Sequence, residues 1–338
     1  MTAPATATAT GPLGAAPALR TYSFGRNALL AGLRLCDLRA GDAVLVPGYV
    51  CQEVLAPVVA SGARAVFYGV NEALEPAQAW CEWPAARAVV AVNYFGFPQN
   101  LAPFRAWCDH HGAVLIEDNA HGWLGRDAEG AWLGLRGDLG IFSMRKTLRL
   151  IDGAALAVVR ADLAAHAPLQ LAPRHAVMPV SQRMERWLAS LPSSMPLLWA
   201  RALRRAWRQW RTGSALPLAD ARAETQMPSD AAPHTGLQVA LDGFDNDAEA
   251  ARRRALYEQV HACLIPFGVT PLWRVVPAGT VPYGYAFRTT EPSGCDMAAV
   301  IGAVRRMGLD VFLWPALPSA IAPVAPRHYS NTWLVNFL

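Results

Sequence analysis

Lysine occurs once in the 338 residues, at Lys146; the other 29 of the 30 basic residues (30 − 1) are arginines. A general preference for arginine accounts for the skew but not for the exception. Arginine replaces lysine on a solvated surface at little cost, yet a guanidinium stays protonated where an amine can be tuned to attack a carbonyl. Lys146 is therefore a candidate nucleophile. Three further groups stand near it in sequence. Asp118 closes the apolar run Val114-Leu-Ile-Glu-Asp, His121 follows it by three residues, and Ser143 precedes Lys146 by three. Each also has an ordinary reading: an acid at a strand end caps a turn, a lone histidine packs in a core, and Ser-x-x-Lys forms a surface turn.

The surrounding pattern says what must position these groups. Apolar strands are expected at 42–46, 65–68, 88–92 and 113–116, with helices at 27–35, 53–61 and 101–111 between them. Gly112 is placed to cap the last of these helices. Short strands alternating with helices build an α/β fold, a mostly parallel central sheet with helices on both faces. Ligands bind such sheets beyond the carboxyl ends of the strands, where Asp118 falls. The rhythm breaks over about 161–235 and returns with helices at 248–263 and 295–307 and strands at 283–288 and 310–313. The expected organisation is a loose segment 1–20, a large domain 21–245 containing the 161–235 insertion, and a smaller α/β C-terminal domain 246–338.

Composition narrows the classes. With 53% hydrophobic and 17% charged residues the chain folds around a substantial core. A net charge of +4 without any nucleic-acid motif gives no reason to expect DNA or RNA as partner. Six scattered cysteines, without a Cys-x-x-Cys pair, suit buried thiols in a reducing compartment better than disulfides or zinc. The Ala/Thr/Pro-rich start lacks the basic end and apolar stretch of a signal peptide, so a cytoplasmic location is expected. Adjacent His110 and His111 suit the end of a helix rather than a metal, and no metal site is expected.

The Lys146 group matches the needs of pyridoxal phosphate (PLP). That cofactor needs a lysine amine of lowered pKa to hold it as a Schiff base and a carboxylate facing its ring nitrogen. Amides and hydroxyls for the phosphate, and a ring or imidazole against the pyridine face, complete the set. The segments Val114-Leu-Ile-Glu-Asp-Asn-Ala-His121, Gly137-Asp-Leu-Gly-Ile-Phe-Ser143, Lys146 and Asp152-Gly153-Ala-Ala together resemble the DegT/DnrJ/EryC1/StrS family. Phe24-Gly-Arg-Asn-Ala28, Gly41-Asp-Ala-Val-Leu-Val-Pro47 and Val92-Asn-Tyr-Phe-Gly96 are similar to further pieces of that family's pattern.

The resemblance implies a fold-type I PLP enzyme, chiefly of the nucleotide-sugar aminotransferase kind, acting as a homodimer. By position, Lys146 would be the catalytic lysine and Asp118 the partner of the ring nitrogen. His121 would contact the ring or its phenolic oxygen. Ser143 would take the phosphate with the backbone of Gly25, Arg26 and Asn27, and Tyr49 or Cys51 would lie near the ring. The implied amino donor is glutamate or glutamine and the implied acceptor a keto-sugar nucleotide, in polysaccharide, glycan or secondary-metabolite biosynthesis.

The chain departs from the family at its centre. Ser143 and Lys146 are three residues apart rather than five, while the seven residues from Lys146 to Gly153 keep the family interval. Arg145 or Arg26 would supplement the altered phosphate site. The shortened interval and the insertion also motivate a second reading, a noncatalytic or differently reacting relative acting as partner in surface-polysaccharide assembly. Within the insertion, Trp199 to Arg211 (WARALRRAWRQWR) reads as a basic aromatic helix. It suits contact with an acidic membrane surface. Its more ordinary role would be to pack on a partner subunit or cover the sheet, with arginines in solvent.

Overall fold

The computed structural model describes residues 11–148, 150–189, 195–213, 220–289 and 295–337. Its larger sheet has seven strands in the order β1-β7-β6-β5-β4-β2-β3. The strands are β1 (Ala18–Tyr22), β2 (Ala43–Pro47), β3 (Arg64–Tyr68), β4 (Ala88–Val92), β5 (Val114–Asn119), β6 (Leu139–Phe142) and β7 (Ala154–Val158). Pairs β3/β2, β2/β4, β4/β5 and β5/β6 are parallel, and β7 pairs antiparallel with both β6 and β1. Every residue of β2, β4, β6 and β7 is buried, as continuous apolar strands covered on both faces must be.

The helices end where local chemistry ends them. Gly112, at φ 61°, terminates the helix Ala102–His111 in the left-handed conformation that favours glycine. Within its last turn His111 Nδ1 hydrogen-bonds with the Trp107 carbonyl at 3.0 Å. Asp245 caps the helix Asn246–Leu264 by accepting from the Ala248 amide at 2.9 Å, and Asp296 caps Met297–Arg306 in the same manner.

A second sheet of four antiparallel strands follows, in the order β10-β11-β9-β8. These are β8 (Thr270–Pro271), β9 (Gly284–Arg288), β10 (Asp310–Leu313) and β11 (Thr332–Asn336). One buried apolar cluster takes in residues of both sheets, from Val44 and Ile116 to Tyr285 and Leu334. No helix among the described residues is long and apolar enough to cross a membrane.

Two expectations need correction. The segment 1–20 was expected to be loose throughout. Residues 1–10 lie outside the described residues, but Pro12–Ala15 is helical and β1 begins at Ala18, where it pairs with Val158 of β7. The edge of β7 offers unpaired backbone groups, and a nearby extended segment satisfies them whatever its composition. The second concerns the Met195–Thr212 helix, whose arginines were expected in solvent and do not all lie there. Arg205 pairs with Asp310 at 2.5 Å and Arg201 donates to the Gly308 carbonyl at 3.1 Å, while Trp199, Trp207 and Trp210 are exposed.

Candidate active site

Chain order along the large sheet reverses between β2 and β4, since β3 is added on one side of β2 and β4 to β6 on the other. Loops leaving the carboxyl ends there diverge, which opens a crevice. A cavity of about 320 Å³ occupies this place. Gly25, Arg26, Asp118, His121, Ser143 and Lys146 all line it, with Cys51 beside them. Tyr49 and Asn27 do not. The Tyr49 side chain is fully buried and its hydroxyl donates to the Trp314 carbonyl at 2.6 Å. The Asn27 amide group donates to Ser23 Oγ at 2.8 Å, and its backbone N–H is taken by the Phe24 carbonyl at 2.9 Å. Asn27 thus shapes the turn rather than meeting the cavity.

Burial sets the charge states. Lys146, half-buried, has its pKa lowered, first by loss of water and then by the neighbouring Arg145 guanidinium, while Asp118 and Glu53 oppose the shift. Asp118 is raised above the ordinary carboxylate range by burial; the Ala120 amide, donating at 2.9 Å, and the charge of Lys146 pull it back. The His121 imidazole falls well below its usual value, through burial and then the charges of Lys146 and Arg253, so it is neutral at neutral pH. Burial pushes the Cys51 thiol up to about 12, which removes it as a thiolate nucleophile.

Backbone bonds lock the pieces together. Gly153, at φ 136°, donates to the Ser23 carbonyl at 2.6 Å and accepts from the Arg145 amide at 3.0 Å. The turn before the Gly25–Leu33 helix is therefore joined to the turn bearing Lys146. Behind β5, the fully buried Glu117 carboxylate accepts from Arg136 Nη2 at 2.6 Å and from Asn93 Nδ2 at 2.8 Å. Arg136 Nη2 also donates to Asn93 Oδ1 at 2.9 Å, so the ends of β4 and β5 are held in register. Asp152, nearly fully buried, pairs with Arg174 and with His234 at 2.6 Å.

The donor set fits PLP. Arg145 lines the cavity, and its Nε is buried without a partner among the described residues. An unsatisfied cationic donor beside the Ser143 hydroxyl and the first turn of a helix calls for an anion, which a phosphate supplies. A lysine of lowered pKa and a half-buried carboxylate on the same cavity are the groups that the aldehyde and the ring nitrogen of that cofactor would need.

Two residues, one lining the cavity and one behind Lys146, have no clear sequence signal of their own. Tyr283 enters from just before β9, and its ring stacks on His121 at 4.4 Å with an interplanar angle of 7°. Its amide donates to the Phe95 carbonyl at 2.7 Å. Arg253 is 2% exposed, pairs with Glu249 at 2.7 Å, and donates to the Lys146 carbonyl at 3.4 Å. Both reach the site from the C-terminal part of the chain, over more than 100 residues of separation. The only hint in sequence was the Arg252-Arg253-Arg254 triplet after Glu249, which places a carboxylate one turn from two arginines.

Comparison with known proteins agrees with this geometry. The chain is 33% identical over 144 residues to the L-glutamine:2-deoxy-scyllo-inosose aminotransferase of Streptomyces kanamyceticus, covering 41% of this chain and 34% of that protein. It is 29% identical over 150 residues to a UDP-N-acetyl-3-dehydro-alpha-D-glucosamine 3-aminotransferase of Acidithiobacillus ferrooxidans, covering 41% and 39%. These matches span about a third of the curated relatives' length. The fold matches the aminotransferase TlmJ from Streptoalloteichus hindustanus with a TM-score of 0.63 and 21% identity, over 94% of this chain and 80% of that one. The large sheet and the antiparallel C-terminal sheet are thus those of the fold-type I α/β architecture. The sequence profile of the DegT/DnrJ/EryC1/StrS aminotransferase family matches residues 13–189, and with Asp118, His121, Ser143 and Lys146 gathered on one cavity the chain belongs to that family.

Proposed function

We propose that the chain is a PLP-dependent aminotransferase that moves an amino group from glutamine or glutamate to the keto group of a sugar, nucleotide-linked or of the related cyclitol kind. The observation that carries this reading is the convergence on one cavity of Lys146, Asp118, Ser143 and Arg145, whose Nε has no partner among the described residues. When bound, the cofactor supplies an aldehyde carbon and an electron-withdrawing ring.

The protein's own groups do the rest. Lys146 Nζ would hold the aldehyde carbon, because its lowered pKa leaves a larger neutral fraction than an ordinary lysine has. Asp118 would accept the ring N–H and keep that nitrogen protonated. Ser143, Arg145 and the first turn of the Gly25–Leu33 helix would bind the phosphate. Neutral His121, stacked on Tyr283, would orient the ring without adding charge. Lys146 Nζ, when free and neutral, would be the base that takes the proton from the donor's alpha carbon.

The relatives support the donor and acceptor classes. Their names give L-glutamine as donor and a scyllo-inosose or a UDP-linked dehydro sugar as acceptor. A homodimer whose partner subunit completes the site, in the cytoplasm, goes with this reading, and six free cysteines suit a reducing compartment. The test is to load the protein with PLP, add L-glutamine and follow the visible absorbance, then offer scyllo-inosose and keto-sugar nucleotides and detect the amine product by mass spectrometry. Amination of either acceptor class is the expected result. A colourless protein that ignores added PLP would instead support a noncatalytic partner in polysaccharide assembly.

A further inference from the structure

Five charged side chains line the sheet-end cavity: Arg26, Glu53, Asp118, Arg145 and Lys146. In the proposed transfer Lys146, Asp118 and Arg145 have roles, and Arg26 stands in the helix turn beside the phosphate site. Glu53 has none. It is half-buried, and its carboxylate has no hydrogen bond or ion pair among the described residues. Its place is fixed. It sits in the short 3-10 turn Gln52–Val54, between β2 and the helix Leu55–Ala60. Gln52 anchors that turn twice, its backbone amide donating to the Ala316 carbonyl at 3.0 Å and its side-chain amide to the Asp220 carbonyl at 2.9 Å. The charge of Glu53 also reaches the reacting centre. Burial lowers the pKa values of Lys146 and Arg145, and Glu53 is among the groups that pull both back up.

We propose that Glu53 selects the amino donor, admitting L-glutamine and turning away L-glutamate. This rests on the aminotransferase reading and names the residue that would decide between its two donors. The two amino acids share an α-amine and an α-carboxylate and differ only at the end of the side chain, a neutral amide in one and a carboxylate in the other. An ionised carboxylate accepts hydrogen bonds and donates none. The amide N–H of glutamine can give Glu53 the partner it lacks. The second carboxylate of glutamate offers no proton and adds a like charge, which is a means of exclusion. Exclusion by charge needs no contact. At an effective dielectric of ~20, two carboxylates about 8–10 Å apart disfavour each other by roughly ten- to thirtyfold. The count of cations points the same way. With Arg145 taken by the phosphate, Arg26 would be left for the α-carboxylate that both donors carry, and no arginine of the cavity remains for a further carboxylate.

The experiment uses the PLP-loaded full chain and two measurements. The absorbance change on adding L-glutamine or L-glutamate gives the second-order rate for each donor. Calorimetric binding of glutarate and of glutarate monoamide, which lack the reacting amine, makes the same comparison without turnover. The parent should favour glutamine over glutamate, and the monoamide over glutarate, by at least about tenfold. Glu53→Gln removes the charge and should bring both ratios to within about threefold of one, chiefly by raising the rate with glutamate. Glu53→Asp keeps the charge and should retain a preference of about fivefold or more. Melting temperature and bound PLP show that each variant is folded and loaded. A group that only supported the fold would weaken both donors alike and leave the ratios unmoved. Equal use of the two donors by the parent, or a preference that survives in folded Glu53→Gln, would overturn the proposal. Should neither amino acid alter the absorbance, the aminotransferase reading fails, while the calorimetric ratios still decide whether Glu53 chooses between a neutral and a charged end.

Discussion

The sheet-end cavity and the inserted Met195–Thr212 helix both join apolar and polar residues, but they turn them opposite ways. Around the cavity, β4, β5 and β6 bury their apolar residues and gather Asp118, His121 and Ser143 where neighbouring elements enclose them. In the insertion, the basic side of the Met195–Thr212 helix meets the protein and its tryptophans meet solvent. An amphipathic pattern fixes which residues share a side. It does not fix what that side touches, and that depends on the partners available.

The largest effect is expected at the cavity. Lys146→Arg keeps a cation but has no amine that can become neutral, so the protein should stay colourless with PLP and lose amino transfer by about 10³-fold or more, with an unchanged circular dichroism spectrum. Surviving turnover would break the contrast at its strong end. Next come two stability comparisons. Arg136→Ala strands the fully buried Glu117 and should cost about 3–5 kcal/mol in denaturant unfolding. Trp107, fully buried against Trp83, should cost about 3–5 kcal/mol as Trp107→Ala. Trp210→Ala, at 82% exposure, should change stability by no more than about 0.5 kcal/mol. Similar losses for the two tryptophans would mean that the inserted helix is packed against the core.

Asp118→Asn should leave the cofactor attached while lowering kcat by about 10²-fold, because the ring nitrogen loses its acid. The smallest effect is a displacement in pH. Lys146 releases its proton more readily than an ordinary lysine of 10.5, so the rate of PLP capture should rise with pH through a midpoint below that value. The sign for stability is the same. Between the lowered and the ordinary value the unfolded chain binds the extra proton, so this group makes the fold more stable as pH rises through that interval.

What could be read from the sequence follows the range of the interactions. Strands β4 and β10 and the helix Ala102–His111 were visible because apolar period, length and a capping glycine are local. Asp118, His121, Ser143 and Lys146 were visible because they lie within 29 residues, on two adjacent strands and the turns that follow them. Strands β1 and β11 went unread. β1 owes its conformation to the edge of β7, and β11 takes a central place in a sheet whose other strands come earlier in the chain. Tyr283 and Arg253 went unread for the same reason: their contacts with His121 and the Lys146 carbonyl close long loops, which no local pattern records. Tyr49 was expected near the ring from its place after β2, but its hydroxyl found the Trp314 carbonyl instead, a bond that only the folded C-terminal sheet can offer.

The most direct test of the whole account is reduction of the PLP-loaded protein with borohydride, followed by peptide mass mapping. A pyridoxyl adduct should appear on the peptide containing Lys146 and vanish in Lys146→Arg. An unmodified Lys146 in reduced, PLP-saturated protein would contradict the account.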